Sequence, residues 1–103
     1  MIINILTLFF LYNQAQDRPK YILFNNTNAV YEIQVSPDTQ NWETISINAY
    51  SLYTFDRAAE KLYIKVNSNT KYGKNTLQYT IQKGSKYQIY WNTGKYYYDL
   101  SQY

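Results

Sequence analysis

Hydrophobic and polar residues alternate in short runs along most of this chain, and turn-forming residues separate the runs. In the clearest run, Lys61–Asn67, the apolar residues Leu62, Ile64 and Val66 occupy every second position. A period of two is typical of a β-strand with one buried face, and helical periodicity is weak throughout. The pattern predicts eight strands, at Tyr21–Asn25, Val30–Val35, Trp42–Ile47, Ser51–Phe55, Lys61–Asn67, Thr76–Gln82, Tyr87–Trp91 and Tyr96–Leu100.

The spacing of the strands and the turns between them indicates the fold class. Strands that recur every 8–12 residues are typical of a sandwich or barrel. We expect a small, antiparallel, immunoglobulin-like β-sandwich of seven to eight strands, with a small β-barrel as the alternative. The glycine-bearing connections Lys83–Lys86 and Asn92–Lys95 predict that the last three strands form an antiparallel meander. The expected core is Ile33, Val35, Ile45, Ile64, Val66, Leu77, Ile81, Ile89 and Trp91.

The first eleven residues are mostly apolar, and the polar segment that follows ends this run abruptly. The run has the length of a signal-peptide core and is too short to span a membrane. We predict a signal peptide over residues 1–15, cleaved near Ala15–Gln16, and a single soluble β-sandwich domain over residues 16–103. The product would be secreted or periplasmic, without a transmembrane segment. The alternative is that the apolar run forms an N-terminal core strand.

The segment Tyr31–Ile45 contains an alternating strand, Ser36, the turn residues Pro37 and Asp38, and then Trp42. It resembles a hairpin of discoidin-type and fibronectin-type β-sandwich modules, in which glycine usually stands at the position of Thr39. The resemblance implies a sandwich hairpin and favours carbohydrate or cell-surface binding. It assigns no ligand-binding residue.

The chain contains 14 tyrosines, which is its strongest compositional anomaly. Tyrosine suits binding surfaces because it combines a rigid ring with a polar tip. Strand parity places one set of side chains outward, which predicts a binding face at Tyr63, Lys65, Gln88, Tyr90 and Tyr97 if their strands are neighbours. The alternative is an AT-rich codon bias, since Phe, Tyr, Ile, Asn and Lys together make up 47 of the 103 residues.

Ten basic and seven acidic residues give a net charge of only +3. The lysines are dispersed along the chain, whereas tight phosphate binding uses clustered Lys and Arg. We therefore expect no nucleic-acid partner.

The chain has no histidine and no cysteine, so catalytic triads that require them are impossible. Zinc and copper sites are disfavoured for the same reason, and no cofactor is expected. A glycosidase-like carboxylate pair such as Asp38 with Glu43, or Asp56 with Glu60, is the remaining enzymatic hypothesis. We expect these acids to structure turns or pair with lysines, and we expect no catalysis.

Two functional hypotheses remain for a protein of this kind. The first is a non-enzymatic binding module for a glycan or for an envelope or extracellular protein. The second is a structural or accessory subunit of an envelope assembly that pairs through an exposed strand edge, for example through the tail Tyr96–Tyr103.

Overall fold

A computed structural model describes residues 19–103, and all regular secondary structure in this range is β. The strands are β1 (Tyr21–Asn26), β2 (Tyr31–Ser36), β3 (Glu43–Ile47), β4 (Ser51–Phe55), β5 (Lys61–Thr70), β6 (Gly73–Gln82), β7 (Lys86–Asn92) and β8 (Tyr97–Gln102). The eight predicted strands are confirmed. Strands β5 and β6 are longer than predicted, because the polar segment 68–75 continues the pairing as far as Thr70 and Gly73.

The strands form two four-stranded sheets that share one hydrophobic core. Sheet 1 has the order β4-β1-β7-β8, and sheet 2 has the order β3-β2-β5-β6. Every pair of neighbours is antiparallel except β1 and β7, which are parallel. The all-β architecture with two mainly antiparallel sheets is therefore as expected.

Alternation of side chains across each strand builds the core. Seven of the nine predicted core residues are buried, at 5% exposure or less: Ile33, Val35, Ile45, Ile64, Val66, Ile81 and Ile89. Leu77 and Trp91 are only half-buried. Leu77 lies on an edge strand and Trp91 near the end of a strand, so neither has core neighbours on all sides.

Tyrosines complete the core, and their hydroxyl groups find partners at its margin. The hydroxyl of buried Tyr21 donates to the carbonyl of Ala59 at 2.5 Å, and that of Tyr31 donates to the carbonyl of Asn67. Burial of Tyr21 and the nearby carboxylates Glu60 and Asp56 raise its pKa to about 12. These rings have a structural role, so part of the tyrosine enrichment serves the core.

The predicted three-stranded meander is wrong. Strand β6 lies in sheet 2 and β7 in sheet 1, so the short turn around Gly84 carries the chain from one sheet to the other. Gly84 adopts φ +84°, and its amide donates to the carbonyl of Lys20 at 2.9 Å. The turn signal predicted a reversal of the chain but not the sheet that the next strand joins. Strand β7 instead lies between β1 and β8, where Ile89 is completely buried.

The hairpin between β2 and β3 has the local geometry that its sequence suggested. Ser36 Oγ accepts hydrogen bonds from the backbone amides of Asp38 and Thr39, at 3.2 and 2.9 Å. The Asp38 carboxylate accepts hydrogen bonds from the backbone amides of Gln40 and Asn41, at 2.9 and 2.8 Å. Thr39 adopts φ +65°, a left-handed conformation that glycine accepts most easily.

The predicted signal peptide over residues 1–15 lies outside the described residues. From Pro19 onward, the structure contains no helix of the length and apolarity that crossing a membrane requires.

Candidate functional site

The structure divides the five predicted binding-face residues between two sheets. Tyr63 and Lys65 lie on β5 of sheet 2, whereas Gln88, Tyr90 and Tyr97 lie on β7 and β8 of sheet 1. The outer faces of two packed sheets point away from each other. The condition for a single face, that these strands are neighbours, is therefore not met.

The sheet 2 part of the predicted face carries lysines close to aromatic rings. Lys65 Nζ lies 4.0 Å from the centroid of the Trp42 ring, and Lys61 Nζ lies 5.8 Å from that of Tyr63. The indole nitrogen of Trp42 donates to the carbonyl of Thr39 at 3.1 Å. Each of the two rings thus has a cation near one face.

Two of the three predicted residues in sheet 1, Gln88 and Tyr90, belong to internal hydrogen-bond networks. Gln88 donates to Ser101 Oγ at 3.3 Å and accepts from Asn26 at 3.2 Å. The Tyr90 hydroxyl lies 3.5 Å from the Asp99 carboxylate. These side chains have protein partners already.

Asp99 is the centre of a network that joins the edges of the two sheets. Its carboxylate accepts hydrogen bonds from the hydroxyl of Tyr79 on β6, from Asn92 Nδ2 at 3.1 Å and from the Leu100 amide at 2.8 Å. Burial works to raise the pKa of Asp99, but the hydrogen bonds from Tyr79 and its other donors outweigh this and lower it. Burial and the bond to Asp99 raise the pKa of Tyr79.

Replacing Asp99 with asparagine should lower the free energy of unfolding by about 1–3 kcal/mol near neutral pH, because hydrogen bonds to a charged acceptor are lost. Since folding lowers the pKa of Asp99, its contribution is full above the usual value of 3.8 and disappears as the pH falls through the folded value. Denaturant titrations at pH 7 and pH 3 should therefore show the difference between wild type and variant shrinking in acid. The exposed acid Glu32 provides the control, as Glu32→Gln; equal effects of both variants at every pH would contradict the prediction.

A group of four aromatic rings in contact, two of them exposed, lies elsewhere, where two hairpin tips meet. Tyr72 and Tyr96 stack with ring centroids 4.6 Å apart and an interplanar angle of 30°. They are 55% and 53% exposed. Tyr72 also lies 6.3 Å from Trp91, and Trp91 packs edge-to-face on Tyr98 at 5.0 Å. We call Tyr72, Trp91, Tyr96 and Tyr98 the hairpin-tip cluster.

The hairpin-tip cluster is anchored to the core and held by its two turns. Tyr98 packs at 5.0 Å against Tyr31, which is buried, so ring contacts run from the surface to the interior. Tyr72 precedes Gly73, which adopts φ +121° at the tip of the β5–β6 hairpin. Tyr96 itself adopts φ +61°, and its amide donates to the carbonyl of Asn92 at 2.8 Å.

A tyrosine in the left-handed region is uncommon and costs free energy, and such strain persists where the surrounding structure enforces it. Thr39 and Tyr50, which lie in other connections, adopt the same conformation, so the strain at Tyr96 is a feature of its turn and does not by itself mark a functional site. Sequence reasoning missed the cluster, because it placed Tyr72 in a polar loop and Tyr96 at the start of a strand. The sequence does show that each of these tyrosines lies next to a hairpin turn. The contact between the two hairpin tips follows only from the packing of the sheets.

A second surface feature is a depression of about 540 Å³ near the end of the sandwich, with Val35, Pro37, Trp42 and Leu62 among its lining residues. Arg57 and Glu43 lie at this depression and form a two-point ion pair, with N–O distances of 3.1 and 2.5 Å. Glu43, one of the two carboxylates considered for glycoside hydrolysis, is therefore engaged in an ion pair.

Asp38, the other member of that pair, is the acceptor of its own loop. Hydrogen bonds from the amides of Asn41 and Gln40, and from the Asn41 and Ser36 side chains, hold its pKa well below the usual range. A general acid needs a raised pKa. Within residues 19–103, no group of three acidic side chains converges to form a metal-binding cluster.

Comparison with known proteins adds no assignment to this geometry. No protein-family model, curated protein or solved structure matches the chain.

Proposed function

We propose that this domain is a non-enzymatic binding module that stacks a carbohydrate on the hairpin-tip cluster. One observation carries the proposal: the stacked and half-exposed rings of Tyr72 and Tyr96 rest on Trp91 and, through Tyr98, on the core. Rigid aromatic rings supply contact area at low entropic cost, and their polar tips can form hydrogen bonds. A sugar ring offers an apolar C–H face for such rings and a rim of hydroxyl groups.

The surroundings of the hairpin-tip cluster favour a polar ligand over the apolar core of a protein interface. Lys71 Nζ lies 5.2 Å from the centroid of Tyr72, and Lys74, at the start of β6, is exposed. Thr93 and Lys95 in the β7–β8 turn are exposed as well. The strongest contacts in protein interfaces are usually enclosed by further apolar contacts that exclude water. A glycan needs no such enclosure, because its hydroxyl groups can bind the neighbouring ammonium and hydroxyl groups.

Two expectations from the sequence are retained as parts of this proposal. Export directed by residues 1–15 would bring the module to a compartment where glycans are accessible. The similarity of Tyr31–Ile45 to discoidin-type and fibronectin-type hairpins agrees with a surface-binding role. The term immunoglobulin-like applies only in the broad sense of a two-sheet sandwich, since β1 and β2 lie in different sheets and an immunoglobulin domain begins with two strands in one sheet.

The test is a glycan array followed by calorimetric titration of the best ligand. Tyr72→Ala and Tyr96→Gly should each weaken binding by about 1–3 kcal/mol, the usual loss for an aromatic residue at the centre of a contact. Glycine adopts the left-handed conformation without strain, so Tyr96→Gly should leave the turn folded. A loss of affinity in this variant therefore reports on binding and not on unfolding. Tyr103→Ala is the matched control, because Tyr103 is 55% exposed and lies outside the cluster; its affinity should equal that of wild type.

Several results would contradict the proposal. They are the absence of binding to any glycan, binding that Tyr72→Ala leaves unchanged, and an equal loss in Tyr103→Ala. Hydrolysis of a bound glycan that Asp38→Asn abolishes in a folded protein would refute the non-enzymatic interpretation.

A further inference from the structure

Strand β6 is a long edge strand with a regular backbone. It pairs with β5 over all ten of its residues, from Thr70 opposite Gly73 to Lys61 opposite Gln82, without a bulge. Among residues 19–103, no strand pairs with its other side. Half of its backbone hydrogen-bonding groups therefore point away from β5. At the end of the strand, the Gln82 amide already donates to the Tyr87 hydroxyl at 3.1 Å and the Gln82 carbonyl accepts from the Ser85 amide at 3.4 Å.

This edge lacks the features that usually prevent pairing between molecules. Such features include short length, proline, bulges and charged residues. Strands β3 and β4, which are also edges, have only five residues each, and the edge strand β8 contains Asp99. In contrast, the segment of β6 from Asn75 to Gln82 contains neither a charged residue nor a proline.

The inner face of β6 is also incompletely covered. Leu77 and Tyr79 are half-buried, whereas their partners on β5, Val66 and Ile64, are completely buried. The hydroxyl of Tyr79 donates to Asp99 on β8, but Tyr79 and Leu77 both stay partly exposed, so one more strand beside β6 would extend the hydrophobic layer.

We propose that β6 pairs antiparallel with β6 of a second copy of this chain, which joins two copies of sheet 2 into one continuous eight-stranded sheet. In such a pair, directly opposed residues must point to the same face. The two-fold axis must therefore pass through a residue position. Gln78 lies nearest to the middle of both the strand and its uncharged segment, and we place the axis there.

The register centred on Gln78 is self-complementary, which favours a second copy over an unrelated partner. On the outer face, Thr76 lies opposite the partner's Thr80, and Gln78 lies opposite the partner's Gln78. On the inner face, Leu77 lies opposite the partner's Tyr79, so each half-buried residue gains an apolar neighbour. At the ends, Lys74 lies opposite the partner's Gln82, so no like charges meet. A closed two-fold contact of this kind is the commonest form of homo-oligomer.

Sedimentation equilibrium of the full chain tests this proposal, because a 12.3 kDa chain should approach twice that mass as its concentration rises. Gln78→Lys places two ammonium groups opposite each other and should raise the dimer dissociation constant by about tenfold or more. Gln78→Glu places two carboxylates opposite each other, but each also lies opposite Lys65 of its own chain, so it should raise the dissociation constant less than Gln78→Lys does. Gln102→Lys, on the exposed edge of β8, is the matched control and should leave the dimer unchanged.

A further variant tests the register directly. Gln82→Glu places a carboxylate opposite the partner's Lys74 and should lower the dissociation constant, whereas another register would leave it unchanged or raise it. Circular dichroism verifies that each variant keeps its β-structure. A chain that stays monomeric at every concentration overturns the proposal. A dimer that responds equally to Gln78→Lys and Gln102→Lys overturns it as well.

Discussion

Replacing Asn25 with aspartate is expected to destabilise the domain by about 3–5 kcal/mol at neutral pH, the cost of an unpaired buried charge. Asn25 is completely buried, and its side-chain amide donates to the carbonyl oxygens of Ala29, Ile47 and Asn48, at 2.8, 2.9 and 3.1 Å. A carboxylate in the same position would face these three acceptors with no hydrogen to donate. The contacts tie the end of β1 in sheet 1 to the β1–β2 turn and to the β3–β4 turn at the end of β3 in sheet 2, so both turns should loosen.

The pH dependence of this variant provides a specific signature. Burial and the three carbonyl oxygens favour the protonated acid, so the pKa of the introduced aspartate should be higher in the folded than in the unfolded protein. The variant should therefore lose stability as the pH rises above about 4, and it should recover part of that loss in acid. Urea unfolding at pH 4 and pH 7 measures both quantities.

The control for this variant is the neighbouring residue. Asn26 is exposed, and its side chain donates only across to Gln88, at 3.2 Å. Asn26→Asp should stay within about 0.5 kcal/mol of wild type, as exposed substitutions usually do. Equal stabilities of the two aspartate variants would show that the Asn25 hydrogen bonds are unimportant.

Truncating Ile64 to alanine should cost about 2–5 kcal/mol, the usual range for a buried isoleucine. Ile64 is completely buried on β5, an inner strand of sheet 2, between Val35 on β2 and Tyr79 on β6. Small domains have a total free energy of unfolding of about 5–15 kcal/mol. If this domain lies near the lower end of that range, the substitution removes most of its stability. Thermal and denaturant unfolding of the purified variant measure it.

A second isoleucine gives the comparison that isolates burial. Ile22 is half-buried and lies on the opposite side of β1 from the buried residues Tyr21 and Leu23. Ile22→Ala should cost clearly less than Ile64→Ala. If the Ile64 variant melted at the wild-type temperature, the assignment of inner and outer faces in β5 would be wrong.

Much of the local structure could be predicted from the sequence. Alternation of apolar residues located the strands, and parity assigned Ile33, Ile64 and Ile89 to the core. The sequence predicts that acids such as Asp38 structure turns, and the Asp38 carboxylate does accept hydrogen bonds from the amides of Gln40 and Asn41. These features depend on neighbours within a few residues, and the identity of those residues sets them.

The candidate site could not be predicted in the same way. The five residues of the predicted face do point outward by parity, but parity does not determine which strands are adjacent. The hairpin-tip cluster joins Tyr72 to Tyr96 across two hairpins that belong to different sheets. Sequence reasoning identified each turn, and the contact between them was not accessible to it.

The sequence by itself thus determined the strands, their buried faces and the absence of histidine and cysteine chemistry, because these follow from residue identity and the two-residue period of a strand. The tertiary structure alone decided that β7 pairs with β1 instead of β6, that Tyr72 meets Tyr96, and that the edge of β6 stays open. The physical reason is that a turn constrains only the direction of the chain, whereas the choice of sheet depends on the burial that all eight strands achieve together.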